Sequence, residues 1–171
     1  MDDLKKFIRD VPDFPKPGIL FRDITPIMEN GAVFARVIDQ FRDHYRSRPI
    51  DLVAGIEARG FIFGSAIAYA LGKGFVILRK KGRLPRKTID VTYDLEYGTD
   101  CIQVHADAIP AGSRVLLIDD LLATGGTAKA ACDLIRKMEG KVVECAVLVE
   151  LAFLEGRKRL GEVGVHSLVT Y

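Results

Sequence analysis

The sequence predicts an α/β fold: a mainly parallel twisted sheet flanked by helices on both faces, with a small N-terminal hood. Three observations carry this expectation. After residue 30, helical and extended patterns alternate along the chain, as packed helix-and-sheet layers require. Residues 52–56, 75–78, 115–118 and 142–149 are nearly unbroken apolar runs, which suit strands covered on both faces, as inside a parallel sheet. Two of these runs lead into acids, then glycine, then a helical pattern.

Taken in order, residues 4–10 suit a short helix. Residues 11–18 hold three prolines, so regular structure is expected to stop there. Residues 19–23 then read as an extended piece ended by Thr25-Pro26. This N-terminal part is too short for its own core and is expected to cap the rim of the sheet as a hood over about residues 1–30. Residues 31–47 predict a helix with Val33, Phe34, Val37, Ile38 and Phe41 on one face. The run 52–56 is a buried strand. The turn Glu57-Ala58-Arg59-Gly60 opens a helix over 61–71 that ends at Gly72.

Residues 75–78 make the next strand. The polar stretch 79–100 follows, with six basic residues within 79–87. So long an irregular segment in a compact domain is usually a functional lid or disordered. Residues 101–105 alternate like a half-buried strand. After the run 115–118 and its loop, Ala128, Ala131, Cys132, Ile135 and Met138 recur at helical spacing, with Gly140 as the cap. A strand over 142–149, a short polar helix over 153–161 and a last strand over 166–170 complete the chain.

At 171 residues, a single domain over 1–171 is expected. Hydrophobic content of 49% with 28% charged residues is ordinary for a globular protein, and a net charge of +2 gives no general polyanion-binding field. Nucleic acid is therefore not an expected partner. Nor is a membrane: the N-terminus has no apolar signal core, and the apolar stretch 60–72 falls short of the ~20 residues a bilayer demands. Cys101, Cys132 and Cys145 are odd in number and widely spaced, so they read as buried small side chains in a reducing compartment. His44, His105 and His166 lack metal-ligand spacing. A cytoplasmic protein is the expectation.

The chemistry centres on residues 115–127, Val-Leu-Leu-Ile-Asp-Asp-Leu-Leu-Ala-Thr-Gly-Gly-Thr. Ligands of open parallel sheets bind beyond the carboxyl ends of the strands. Asp119 and Asp120 are therefore expected at the rim where a ligand lies. Gly125 and Gly126 let the backbone approach closely, Thr124 and Thr127 add hydroxyls, and Thr127 suits the helix cap, where free N–H groups favour phosphate. Anion-binding donors beside carboxylates call for a ligand with a phosphate and sugar hydroxyls, such as a phosphorylated ribose. The Walker loop and the dinucleotide fingerprint are both absent. Glu57-Ala58-Arg59-Gly60-Phe61 repeats the strand–glycine–helix context. It reads as a pyrophosphate loop with Arg59 as a forked donor.

Residues 115–127 resemble the phosphoribosyl-diphosphate signature of the type I phosphoribosyltransferases, in the form found in the branch acting on adenine. Residues 14–26, 57–61 and 93–98 match the same branch, so the resemblance covers nearly the whole chain. It implies the fold of that family and a transfer of the phosphoribosyl group from 5-phospho-α-D-ribose 1-diphosphate to adenine, giving AMP and pyrophosphate. It also implies Mg²⁺ held through the substrate, with no direct protein ligand, and a homodimer.

By the same resemblance Asp119 and Asp120 hold the ribose hydroxyls, and Ala123, Thr124, Gly125, Gly126 and Thr127 hold the 5′-phosphate. Glu57, Ala58, Arg59, Arg79, Lys80 and Arg83 lie near the diphosphate, and the Arg79 position can reach the neighbouring subunit's site. Leu20, Phe21, Arg22 (through its backbone) and Leu151 enclose adenine. In hypoxanthine-type relatives an acid stands at the Ala123 position. Its absence here points to Glu96, on the 79–100 stretch, as the acid/base at N7. Arg59 and Glu96 are thus the expected catalytic residues. A nucleic-acid-binding regulator on the same fold and an enzyme for another base are the competing expectations. The near-neutral charge argues against the regulator, and the Ala123 and hood matches against another base.

Overall fold

The computed structural model describes residues 3–94 and 98–171. A seven-stranded sheet runs in the order β5-β6-β4-β3-β7-β8-β9. Its members are β3 (Leu52–Ile56), β4 (Gly74–Lys80), β5 (Thr88–Asp94), β6 (Thr99–His105), β7 (Arg114–Leu122), β8 (Lys141–Glu150) and β9 (Val165–Thr170). The pairs β3·β4, β3·β7, β7·β8 and β8·β9 are parallel, whereas β4·β6 and β5·β6 are antiparallel. The predicted architecture is observed, with an antiparallel extension at one edge.

Alternation along β7 sends side chains to two cores. Leu116 and Ile118 pack with Val33, Val37 and Phe41 of α2 (Gly31–Tyr45) and Phe63 and Ile67 of α3 (Arg59–Leu71). Val115 and Leu117 pack with Ala131, Leu134 and Ile135 of α4 (Gly126–Lys137) on the other face. Successive strand residues point to opposite faces, so one apolar run serves both layers. Cys132 and Cys145 lie fully buried and Cys101 nearly so, all three as free thiols.

Several boundaries differ from expectation. The stretch 11–18 does not end regular structure. β1 (Arg9–Pro12) pairs antiparallel with β2 (Leu20–Asp23) as a separate two-stranded sheet, and Pro12 closes the ladder opposite Leu20. Proline is tolerated at such an edge. Thr25-Pro26 does not merely end a strand; it begins α1 (Thr25–Glu29), with proline in the first turn, where its missing N–H costs nothing. The stretch 79–100 is not irregular either, since β5 pairs with β6 through seven residue pairs from Thr88↔His105 to Asp94↔Thr99. Its single hydrophobic face, Ile89, Val91 and Tyr93, packs on the α4 core. Alternating Thr, Asp and Thr between them hid the strand. The predicted polar helix over 153–161 is a 3₁₀ turn (Ala152–Leu154) followed by α5 (Gly156–Leu160).

The chain leaves β3 toward β4 on one side, and β7 lies against β3 on the other. The carboxyl ends of β3 and β7 therefore flank the switch point of the sheet, where the crevice of an α/β fold opens.

Candidate active site

A cleft of about 430 Å³ occupies this crevice, lined by residues of the β3 end (Ile56, Glu57, Ala58, Arg59), the β7 end (Asp119, Asp120, Leu121), Thr127 of α4, and Lys80, Tyr93 and Asp100. β7 does not stop at its acids as expected. It runs on to Leu122 because β8 keeps pairing with it as far as Leu122↔Glu150. β3, however, pairs only as far as Gly55↔Ile118. The acids thus stand in a strand whose one neighbour has already turned away, and that gap is the cleft floor.

Arg59 is the first residue of α3. Its Nε donates to Asp120 Oδ2 at 2.5 Å. Gly60 makes the approach possible: a Cβ there would lie 2.9 Å from Asp119 Oδ1 and 3.0 Å from the Ile118 carbonyl oxygen. A carboxylate beside a helix-initial arginine offsets the unfavourable cation at the positive end of the helix dipole. Asp119 Oδ1 accepts from the Asp120 N–H at 2.9 Å. Burial first, and then the neighbouring Asp120 charge, hold the Asp119 carboxyl well above the usual aspartate range.

The Glu57 carboxylate is nearly buried and surrounded by donors. Arg79 reaches it with Nε and Nη2, each at 3.2 Å, the Lys80 N–H donates at 3.1 Å, and Arg83 Nη1 donates as well. Burial pushes the Glu57 carboxyl up, but these hydrogen bonds outweigh it and leave the pKa below its ordinary value. Lys80 Nζ lies 3.1 Å from Asp100 Oδ2, to which the Tyr93 hydroxyl also donates at 3.4 Å. Every cation of this wall is thus matched to a carboxylate of the same chain.

The loop after β7 forms a second, smaller hollow of about 100 Å³, lined by Asp119 and residues 121–128. The helix cap differs from expectation. Gly125, at φ 83°, is the N-cap of α4 and no side chain caps the helix, so Thr127 lies inside the first turn. The left-handed conformation selects glycine, and residues 126–128 of the first turn of α4 line the hollow. At the other end Glu139 rather than Gly140 takes the left-handed turn, at φ 59°.

In the hood, Phe21 lies 5.1 Å from Phe14, edge to face, and the Arg59 guanidinium carbon lies 5.7 Å from the Phe21 ring centroid. The Arg22 side chain is occupied elsewhere: it pairs with Asp10 and sits 3.8 Å over the Tyr171 ring. Leu20 is exposed on the same strand. Leu151 follows β8, and its N–H donates to the Leu122 carbonyl at 2.9 Å.

The structure therefore gathers Glu57, Ala58, Arg59, Lys80, Asp119, Asp120 and Thr127 around one cleft, with Arg79 and Arg83 behind Glu57 and residues 123–126 in the adjoining hollow. Glu96 lies outside the described residues. Tyr93 and Asp100 line the cleft but were not singled out from the sequence. Tyr93 had a signal, since it opens the matched segment 93–98; Asp100 had none, because only the β5·β6 pairing brings it to Lys80. Among the described residues no three His, Cys, Asp or Glu side chains converge as a metal site. No helix among them is long and apolar enough to cross a membrane.

The family model described as "Phosphoribosyl transferase domain" matches residues 23–167. An adenine phosphoribosyltransferase from Solibacter usitatus is 56% identical over 171 residues, covering 100% of this chain and 99% of that protein. The crystal structure of adenine phosphoribosyltransferase from Thermoanaerobacter pseudethanolicus superposes with a TM-score of 0.97 at 46% identity, covering 99% of each chain. The Saccharomyces cerevisiae enzyme, solved with an imino-altritol bisphosphate and adenine, gives a TM-score of 0.94 at 43% identity, covering 98% of this chain and 97% of that one.

Proposed function

We propose the following division of labour for a chain that belongs to the adenine phosphoribosyltransferase family. The enzyme transfers the 5-phosphoribosyl group from 5-phospho-α-D-ribose 1-diphosphate to adenine, giving AMP and pyrophosphate. The observation that carries the residue roles is the meeting of a diphosphate-type cation, Arg59, with a ribose-type acid, Asp120, at the sheet's switch point. The two loops that contribute them face one cleft.

The 5′-phosphate sits in the hollow of Ala123, Thr124, Gly125, Gly126 and Thr127 on the first N–H groups of α4. Asp119 and Asp120 accept hydrogen bonds from the ribose hydroxyls. The diphosphate lies along Ala58 and Arg59 toward Lys80, with Arg79 and Arg83 beyond. Glu57 acts through Arg79 and Arg83, holding their forks in place rather than meeting an anion itself. As the glycosidic bond breaks, charge grows on the leaving diphosphate, so Arg59 is worth more in the transition state than in the ground state.

Adenine enters between the hood, at Leu20, Phe21 and the Arg22 backbone, and Leu151. Glu96, from the segment that joins β5 to β6, handles the proton at N7, where exclusion of water protects the sugar cation. The whole chain, 1–171, works as one catalytic domain with its hood at about 1–30.

Mg²⁺ fits this site. It keeps several waters and favours phosphate oxygens, so it would be held through the substrate, with Asp119 and Asp120 on the cleft floor meeting it at most through water. Bound with the diphosphate, it would supply charge neutralisation of the leaving group. The enzyme is a cytoplasmic homodimer, in keeping with its free buried thiols. Pyrophosphate release measured with each purine and pyrimidine base offered singly tests the reading. Release with adenine alone is expected; equal release with hypoxanthine would overturn the base assignment.

A further inference from the structure

The helix α5 lies outside every role assigned so far, yet it touches the phosphate hollow backbone to backbone. A Cβ built on Gly156 would meet the Ala123 carbonyl oxygen at 2.3 Å and the Gly125 nitrogen at 3.2 Å. A Cβ on Gly125 would meet the Gly156 carbonyl oxygen at 2.5 Å. Two glycines are thus opposed at a distance that no side chain permits, and one of them is the N-cap of α4.

What holds α5 there is a clamp on its next residue. Arg157 forks onto Glu150, with Nε–Oε1 at 2.5 Å and Nη2–Oε2 at 2.6 Å. Its Nη1 donates to the Val165 carbonyl at 2.7 Å. Glu150 is 4% exposed, and Ser167 Oγ donates to its Oε2 at 2.8 Å. So acidic a side chain at the buried end of a central strand is retained only when its oxygens are satisfied. Leu160, 1% exposed, pins the far end of α5 into the α4 core. The clamp therefore joins β8, β9 and α5 and sets α5 against residues 123–125.

We propose that α5 is a positioning brace for the 5′-phosphate loop, with Gly156 as the contact and the Glu150–Arg157 pair as its anchor. A loop whose N–H groups must converge on one phosphate loses affinity when its carbonyls rotate, and the brace fixes the Ala123 carbonyl from behind. The proposal rests on the reading that residues 123–127 bind the 5′-phosphate.

Calorimetric titration of the full chain with ribose 5-phosphate and, separately, with pyrophosphate tests it. Gly156→Ala is expected to weaken ribose 5-phosphate by roughly ten- to a hundredfold, the scale of losing one hydrogen bond to a charged group, with pyrophosphate affinity unchanged. Arg157→Gln, which leaves the glycine contact in place, is expected to show the same selectivity in milder form, and covers the case of a Gly156→Ala chain that does not fold. Thr127→Ala separates the two claims. If Thr127→Ala weakens ribose 5-phosphate while Gly156→Ala and Arg157→Gln bind it like wild type, the brace is wrong and the phosphate reading stands. If Thr127→Ala also binds like wild type, the phosphate reading fails and the brace with it. Equal loss of both ligands in Gly156→Ala and Arg157→Gln marks a merely structural role and overturns the proposal.

Discussion

Arg59 and Asp120 come from opposite sides of the cleft, sixty-one positions apart, and meet through a 2.5 Å hydrogen bond from Nε to Oδ2. On the proposed roles, each would give up the other when substrate arrives, Arg59 for the diphosphate and Asp120 for the ribose hydroxyls. Binding of one end of the substrate would thereby release the group that binds the other.

This exchange gives opposite signs for the two ligands. Asp120→Asn removes the charge that holds Arg59 and should tighten pyrophosphate binding. Arg59 is 43% exposed at its side chain, so the gain is that of a screened pair, about 0.2–1 kcal/mol, or up to roughly fivefold. The same variant should bind phosphoribosyl diphosphate more weakly, with adenine affinity unchanged. Titrations with the three ligands check it, and parallel losses for both phosphorylated ligands would count against the exchange.

The Glu57 cluster predicts an acid-side stability change. The folded-state pKa lies below the ordinary glutamate value of 4.5. Its contribution is therefore complete above that value and is lost as pH falls through the folded pKa. Urea midpoints measured from pH 7 to pH 3 should fall more steeply in wild type than in Glu57→Gln. Glu57→Gln should be the less stable of the two at pH 7, because Arg79 and Arg83 lose their charged acceptor. A wild-type pH profile in Glu57→Gln would remove the cluster from the account.

Glu96 is expected to act in the transition state. Loss of general acid–base help typically costs ~10²–10⁴-fold in rate. Glu96→Ala should lose more of the single-turnover rate of AMP formation than Glu96→Gln, which still donates a hydrogen bond. Phosphoribosyl diphosphate affinity should stay near wild type in both. Single-turnover mixing separates the chemical step from product release, and unchanged rates in both variants would leave Glu96 a solvated acid.

Arg79 is bound by its own chain's Glu57 with two donors and by the Arg83 carbonyl with a third. It should therefore serve its own subunit's cleft, although the family resemblance allows it to reach across a dimer. Mixing inactive Arg79→Ala and Asp120→Asn subunits, with exchange verified by mass, should restore no activity. Recovery toward one intact site per mixed dimer would show that the cleft is shared.

Much of this molecule was legible in its residues. The short apolar runs at 52–56 and 115–118, each ended by an acid and a glycine turn, read as buried strands, and alternation along them divides their side chains between the two cores. The glycine turns after them mark where ligand chemistry belongs, and Glu57, Arg59, Asp119, Asp120 and Thr127 do line one cleft. Strand β5 was hidden because only one of its faces is covered, by the α4 core, so Ile89, Val91 and Tyr93 carry a weak signal among polar neighbours.

The sequence by itself determined the fold class, the alternation of the central strands and helices and the two loops that flank the switch point, because apolar periodicity and glycine placement are local properties. Tertiary structure alone decided which charges meet. Glu57 takes Arg79 and Arg83, Asp120 takes Arg59, and Glu150 takes Arg157. With 25 Lys and Arg and 23 Asp and Glu in the chain, composition allows a great many pairings. These three acids find their partners because the sheet brings the side chains within hydrogen-bonding distance, and each acid is itself largely withdrawn from water.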